Sequence, residues 1–143
     1  MFIGEYTHSI DQKGRVALPV KLRKELGSGA VITRGLDNCL WVFTKKEWEN
    51  LASRLAALPI SDPKSRAFSR LMLAGAMEVE FDSQGRALIP GYLKTYASLK
   101  NQAVIAGLYS RLEIWDVNRW QQFKMTTEKQ TDEISKHMMD LGV

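Results

Sequence analysis

The same short pattern occurs twice in the chain, and this repeat limits the possible folds more than any other feature. The pattern D-x-x-G-R-x-x-x-P occupies residues 11–19 and again residues 82–90. Further matches follow at a nearly constant offset and pair residues 30–32 with 103–105, Gly35 with Gly107, Leu40 with Leu112, and Trp48 with Trp120. Agreement over so many positions indicates a duplication. We therefore predict two copies of one small β-rich module.

Each copy carries local signals for the same succession of elements, β–turn–β–α–β–β–α. A β-prone stretch, residues 5–10 or 77–81, precedes the turn, and the apolar strand after the turn ends at Pro19 or Pro90. Because proline suits the first position of a helix, short helices are predicted at residues 19–26 and 90–99. The other predicted strands are residues 30–33, 39–43, 103–106 and 112–115.

Apolar residues at spacings of three and four predict longer helices outside the repeated motifs. These helices cover residues 45–58, 65–76 and the stretch from 118 onward, whereas the polar residues 126–136 are expected to fray or to be disordered. The helices between residues 45 and 76 either cap the core or form contacts between subunits. The predicted division is a first module with its following helix (1–60), a connecting helix (61–76), and a second module with a C-terminal helix and polar tail (77–143).

Aspartate and glycine in the repeated turn have a structural explanation. The aspartate side chain can accept a hydrogen bond from the backbone two residues on, and the glycine supplies the positive φ angle that reverses the chain. We assign these loop-structuring roles to Asp11, Gly14, Asp82 and Gly85.

A hairpin turn does not require arginine, yet Arg15 and Arg86 occupy the same place in both copies. In a single copy, an incidental basic residue would be the simpler explanation. Its presence in both copies favours a pair with the aspartate that stiffens the loop, or an arginine aimed outward at an anion, and the two are compatible. A guanidinium can bind a phosphate through two donors or recognise the O6 and N7 edge of guanine.

Other basic residues surround the first of these arginines. From residue 13 to residue 24 no acidic residue interrupts them, and they are Lys13, Arg15, Lys21, Arg23 and Lys24. A positive loop beside a positive helix is typical of a phosphate-backbone site, and the alternative for the helix charges is a merely solvated face. The second copy offers fewer, namely Arg86, Lys94 and Lys100, so we do not expect the two halves to contribute equally.

The rest of the composition argues against catalysis. The chain has a net charge of +4, a single cysteine and two histidines. Cys39 falls in a predicted strand and is interpreted as a buried structural thiol, and His8 and His137 are far apart in sequence. Without a phosphate-binding glycine loop or metal-ligand spacing, we predict no enzyme, no metal and no cofactor. We also predict no signal peptide and no membrane span, and hence a cytoplasmic protein.

Residues 14–19 (GRVALP), followed by residues 22–27 (LRKELG), resemble the swapped-hairpin motif of AbrB-type transcription regulators. Two such motifs in one chain, with M-F-x-G at the start and RLMLAGA at residues 70–76, resemble the MraZ family of that superfamily. The resemblance implies an α+β fold, in which a tandem pair of AbrB-like swapped-hairpin β-modules forms one pseudo-twofold β-barrel-like core flanked by helices.

The resemblance also implies a function. Members of this family are expected to bind double-stranded DNA in the nucleoid as ring-like homo-oligomers that present their D-x-x-x-R loops. The expected target is a set of short direct repeats upstream of the protein's own division and cell-wall operon, which it would regulate, usually by repression. By position, Arg15 and Arg86 are the main DNA-contacting candidates, with Lys13 beside them.

Two further points follow from the wider AbrB group. Arg23 and Lys24 match basic positions that the group uses, whereas in the second copy Thr95 and Tyr96 are expected at those positions. The leading alternative function is an AbrB-like antitoxin that neutralises a partner protein, although such chains carry one motif and a longer disordered tail. RNA binding would require exposed aromatic residues on a sheet, which the positions of the tryptophans do not favour.

Overall fold

The computed structural model describes residues 1–143 as a mixed α+β structure, which confirms the predicted fold class. The strands are β1 (Glu5–Ser9), β2 (Arg15–Ala17), β3 (Gly29–Arg34), β4 (Leu40–Phe43), β5 (Met77–Glu80), β6 (Arg86–Leu88), β7 (Gln102–Gly107) and β8 (Leu112–Asp116). The helices are α1 (Val20–Leu26), α2 (Lys45–Ala56), α3 (Pro63–Ser69), α4 (Gly91–Tyr96), α5 (Val117–Lys129) and α6 (Thr131–Asp140), with a π-helical turn at Arg70–Ala74. The predicted succession of elements therefore occurs twice.

The two modules exchange their first strands. Strand β1 of the first module pairs with β7 of the second, and β5 of the second module pairs with β3 of the first, both in antiparallel orientation. Strands β4 and β8 pair at the centre, which gives a six-stranded sheet in the order β1-β7-β8-β4-β3-β5. Because each module supplies an edge strand to the other, neither has a complete sheet of its own.

Strands β2 and β6 form a separate two-stranded ribbon, with one strand from each module. Two equivalent backbone hydrogen bonds extend this ribbon at its ends. The N–H of Leu18 donates to the carbonyl of Gly85 at 3.2 Å, and the N–H of Ile89 donates to the carbonyl of Gly14 at 2.9 Å. These reciprocal bonds place the pseudo-twofold axis of the molecule through the middle of the ribbon.

The ribbon does not join the larger sheet into a closed barrel, so the barrel-like core predicted from the sequence needs this correction. The ribbon meets the two edge strands only through single bridges, between Ile10 and Val16 and between Phe81 and Ala87. Each bridge lies next to its turn, and beyond it the strands separate, because the edge strands β1 and β5 pair with β7 and β3 whereas β2 and β6 pair with each other. The result is a six-stranded sheet covered by a short ribbon.

One apolar core is shared by both modules. It contains 20 buried residues from the ribbon, α1, α4 and the six-stranded sheet. The inward side of the ribbon contributes Val16 and Ala87, and the two short helices contribute the equivalent residues Leu22 and Leu93. Burying this surface holds the ribbon on the sheet and fixes which of its sides faces outward.

The connecting segment is tied to the sheet. Helix α2 is capped by Thr44, whose side chain accepts a hydrogen bond from the N–H of Glu47. The π-helical turn that follows α3 buries Met72, and the Thr33 hydroxyl of β3 donates to the Met72 carbonyl at 2.7 Å. A buried hydrogen bond of this kind fixes the point at which the chain enters the second module.

The tail is helical, so the prediction of fraying over residues 126–136 was wrong. Helix α5 extends into this region as far as Lys129, and α6 covers the rest of it from Thr131. The side chain of Asp116 caps α5, and Trp120 and Phe123 lie 5.5 and 5.4 Å from the ring of Trp115, measured between ring centroids. These contacts anchor the start of α5, and the polar residues beyond them form the exposed sides of a continuing helix.

Candidate nucleic-acid interface

The first D-x-x-G-R loop is held by its aspartate. One carboxylate oxygen of Asp11, Oδ1, accepts hydrogen bonds from the backbone N–H groups of Lys13 at 3.0 Å and Arg15 at 2.9 Å. The other, Oδ2, accepts from Nε of Arg15 at 2.7 Å. Gly14 has a φ angle of +84°, a conformation that glycine adopts without strain, and its N–H donates to the Asp11 carbonyl at 3.0 Å.

The second loop repeats this geometry. Asp82 Oδ1 accepts from the backbone N–H groups of Gln84 and Arg86, both at 2.9 Å, and Oδ2 accepts from Nε of Arg86 at 2.9 Å. Gly85 has a φ angle of +74°. In both loops the aspartate therefore organises the turn and also grips the arginine side chain through Nε.

These bonds stabilise the charged form of each aspartate. The backbone hydrogen bond from the N–H of Arg15 is the largest cause of the lowered pKa of Asp11, and the side-chain bond and charge of Arg15 lower this pKa further. The pKa of Asp82 is lowered in the same way by Arg86. Both carboxylates are consequently ionised at neutral pH.

In Arg15 the bond through Nε leaves the far edge of the guanidinium available. The Nη groups of Arg15 form no hydrogen bond within the chain, and 31% of its side chain is exposed. Arg86 is exposed to a similar extent, and its Nη1 lies 3.8 Å from Oδ2 of Asp11. The two loops therefore lie side by side, with an ion pair across the module boundary.

The register of the ribbon places both arginines on its outward side. Arg15 lies opposite Leu88, and Arg86 lies opposite Ala17. Directly opposed residues project to the same face, and neighbouring residues alternate between faces. Since the intervening residues Val16 and Ala87 are buried in the core, these four residues form the outer face of the ribbon.

Arg23, which the sequence assigns to DNA contact, is engaged within the molecule. Its Nε donates to the carbonyl of Leu18 at 3.0 Å. Its guanidinium packs on the second loop so closely that a Cβ atom built on Gly85 would overlap Cζ of Arg23. Arg23 of the first module therefore supports the loop of the second.

Lys94 stands in the equivalent place on the other side of the pseudo-twofold axis. A Cβ atom built on Gly14 would lie 3.2 Å from Cδ of Lys94, so this lysine packs on the first loop as Arg23 packs on the second. The expectation that Thr95 and Tyr96 take the places of Arg23 and Lys24 was therefore wrong by one residue. Because the offset between the copies drifts along the chain, the sequence match alone did not reveal that Lys94 keeps one basic position.

The remaining predicted candidates are lysines that form no ion pair within the chain. Lys13 lies at the tip of the first loop, where the second loop has the neutral Gln84, and Lys24 lies on α1. Both are exposed, as is Lys21. Together with the loops they make this end of the molecule positive, and the first loop is the more positive of the two.

Three other features bear on chemistry apart from DNA binding: the single cysteine, possible metal ligands and the apolar character of the helices. Burial raises the pKa of the Cys39 thiol, whose Sγ donates to the carbonyl of Leu36 at 3.1 Å, so this thiol is not a reactive thiolate. No group of three histidine, cysteine or acidic side chains is arranged to hold a metal ion. None of the helices has the length and apolar character required to cross a membrane.

Comparison with known proteins identifies the family. The family model described as "MraZ protein, putative antitoxin-like" matches the chain twice, over residues 1–71 and 72–141. Relatives named transcriptional regulator MraZ include those of Halothermothrix orenii (46% identical), Acetivibrio thermocellus (45%) and Thermoanaerobacter sp. strain X514 (43%). Each of these matches spans 143 residues and covers 100% of both chains. The chain therefore belongs to the MraZ family, whose relatives reported above are named as transcriptional regulators.

Proposed function

We propose that this protein is a sequence-specific DNA-binding transcriptional regulator whose DNA site is the outer face of the β2–β6 ribbon together with its two loops. The observation that carries the proposal is the pair of arginines, Arg15 and Arg86. Each is held by an aspartate through Nε, and both lie on the same outward face. The Nη groups of Arg15 form no hydrogen bond within the chain, and those of Arg86 have only the 3.8 Å ion pair with Asp11.

The fixed guanidinium suits this task. Ordering a free arginine on binding costs side-chain entropy, and much of that cost is already met when Asp11 or Asp82 holds the side chain. The available edge can donate two hydrogen bonds to O6 and N7 of guanine or to a phosphate. A two-stranded antiparallel ribbon also has the width that the major groove of B-DNA admits.

The lysines around the ribbon have a different role in this proposal. Lys13 and Lys24 are exposed, and Lys94 packs beside the first loop. Lysine is a flexible point charge suited to phosphate oxygens, so these residues would position the ribbon without recognising bases. Binding should then weaken as salt rises, because phosphate contacts release counterions.

We further propose a ring-like homo-oligomer, supported by two surfaces of opposite charge. The first, the basic groove, lies beside α2 and α3 and combines Leu58 and Ile60 with Arg66 and Arg70. Ile60 is 83% exposed there, which favours a contact role for this region beyond capping the core. The second, the acidic groove, is a separate cleft that contains Glu25, Glu47 and Tyr109. The amino group of Met1 pairs with Glu25 at 3.0 Å, so Glu47 carries the net negative charge of this cleft.

The two grooves are not equivalent under the pseudo-twofold axis, so docking one into the other joins subunits head to tail. A head-to-tail contact generates a ring when its rotation closes. A ring would display several ribbons at once, and simultaneous contact with repeated DNA sites would multiply a weak single affinity through effective concentration. This supports the expectation of short direct repeats as the target.

By resemblance, we place these repeats upstream of the protein's own division and cell-wall operon, with repression as the usual outcome and the cytoplasmic nucleoid as the location. The test is binding of the purified chain to a duplex of its own upstream DNA at increasing salt. Arg15→Ala and Arg86→Ala should each lower affinity by about fivefold to a hundredfold. Wild-type binding by both variants, with folding intact, would remove the ribbon as the DNA site.

A further inference from the structure

The outer face of the ribbon is not symmetric, although its backbone is. The positions that the pseudo-twofold axis relates are Ala17 on β2 and Leu88 on β6. Leu88 is 56% exposed, whereas Ala17 is half-buried. Leu88 lies directly opposite Arg15, and Ala17 lies directly opposite Arg86. One end of the ribbon therefore places a large apolar side chain beside its arginine, and the other end does not.

The leucine is not one of the buried residues of the shared core, although it borders a small apolar cavity beside Phe81 and Ala87. Its neighbours along the strand, Ala87 and Ile89, point inward and are buried in the shared core. Leu88 belongs to the outward row and leaves most of its surface in water. A single exposed leucine is common on proteins, but this one stands in the same row as the two arginines proposed to contact DNA.

A second difference falls at the same end of the ribbon. The first loop, which adjoins Leu88 through the hydrogen bond from Ile89 to Gly14, carries Lys13 at its tip. The second loop carries the neutral Gln84 at the equivalent place. Lysine, arginine and leucine thus cluster at one end, and glutamine, arginine and alanine at the other. Both differences give the two ends unequal capacity for contact.

The major groove contains one apolar group on the edge of a base pair, the C5-methyl group of thymine. We propose that Leu88 packs on a thymine methyl group next to the contact made by Arg15. This inference rests on the DNA site proposed above. Ala17 is too short to make the same contact at the other end. Leu88 therefore selects A·T pairs at one position and gives the ribbon one preferred orientation on the DNA.

The experiment uses deoxyuridine, which pairs as thymine does and lacks only the methyl group. The probe is a synthetic duplex of the DNA upstream of the chain's own coding sequence, with each thymine replaced in turn. For the wild-type chain, replacement at the contacted position should weaken binding by about fourfold, the effect of losing one buried methyl group. Replacement at other positions should change binding much less.

Two variants assign that loss to the side chain. Leu88→Ala should bind the thymine and deoxyuridine duplexes equally, because the methyl group then has no partner. Leu88→Met conserves apolar volume and should keep a preference for thymine. Circular dichroism of both variants checks that the exposed substitution leaves the fold unchanged.

The outcomes separate this inference from the proposal on which it rests. If the wild type binds the duplex but no deoxyuridine substitution weakens it, or if Leu88→Ala keeps the full thymine preference, the role of Leu88 is overturned while the DNA site stands. If the wild type fails to bind the duplex at all, both the DNA site and the role of Leu88 are overturned.

Discussion

Nη1 of Arg86 lies 3.8 Å from Oδ2 of Asp11, which also accepts a 2.7 Å hydrogen bond from Nε of Arg15. A carboxylate from the first module thus contacts the equivalent arginines of both modules. This contact exists because the exchanged strands and the ribbon bring the two loops to one end of the molecule. The two loops are therefore in direct contact, and we expect a substitution in one loop to affect the other.

Arg23 and Lys24 are adjacent in sequence, and we predict that their substitution has different effects. Arg23→Ala should lower the free energy of unfolding by about 1 kcal/mol, since it removes the bond to the Leu18 carbonyl and the support of the second loop. Lys24→Ala removes an exposed charge and should change stability by less than about 0.5 kcal/mol. Denaturant unfolding followed by circular dichroism measures both. Equal stability of the two variants would contradict the supporting role of Arg23.

Titration of the loop aspartates should make stability depend on pH in the acid range. Because folding lowers the pKa values of Asp11 and Asp82, their contribution is complete above the unfolded value, near 3.8, and is lost as pH falls through the lower folded values. The free energy of unfolding should therefore decrease as the pH is lowered below about 4.

The matched control for this pH dependence is the double variant Asp11→Asn with Asp82→Asn, which cannot titrate at these two positions. Its unfolding free energy should vary less with pH over the same acid range than that of the wild type. If the unfolding free energies of the two proteins change in parallel with pH, the hydrogen bonds to the ionised Asp11 and Asp82 do not stabilise the fold.

The shared core predicts that a change in one module unfolds both. Leu93 of α4 is completely buried. Replacing it by alanine should cost about 2–5 kcal/mol, from the lost apolar burial and the cavity left behind. Thermal unfolding should remain a single transition, because neither module has a complete sheet without the other. Two separate transitions would contradict the exchanged-strand account of folding.

The sequence allowed much of this fold to be predicted, because the repeat marks equivalent elements and turn chemistry marks their ends. The residue patterns alone did not indicate which strands pair, since β1 and β5 have similar patterns and either could pair within its own module; only the resemblance to a swapped hairpin implied the exchange. The tail was mistaken for disorder because the aromatic contacts that anchor α5 involve Trp115, a residue outside the helix.

The candidate site was predictable in its parts but not in its assembly. The two aspartates, glycines and arginines of the loops follow from the repeated pattern. The contact between Asp11 and Arg86, the packing of Arg23 on Gly85 and that of Lys94 on Gly14 are tertiary relationships across the modules. No local pattern carries that information, because it depends on the strand exchange.

The proposed ring can be tested by charge reversal in the two grooves. Arg70→Glu in the basic groove and Glu47→Arg in the acidic groove should each weaken assembly, because like charges then face each other. The variant that carries both substitutions should recover assembly, since the pair is restored in reverse. Light scattering at micromolar concentration gives the mass. A monomeric wild type would rule out the ring, and unchanged assembly of both single variants would rule out these grooves as its interface.

The most direct test of the central claim is the affinity of Asp11→Asn for the upstream duplex. The asparagine oxygen can still accept the backbone hydrogen bonds of the turn. Its NH2 group, which replaces Oδ2, cannot accept the bond from Nε of Arg15. The substitution also removes a negative charge and so makes the chain more positive. If DNA binding depends on a guanidinium held in place, affinity should fall roughly tenfold despite the added positive charge. If overall charge alone drives binding, affinity should rise, and that result would contradict the account.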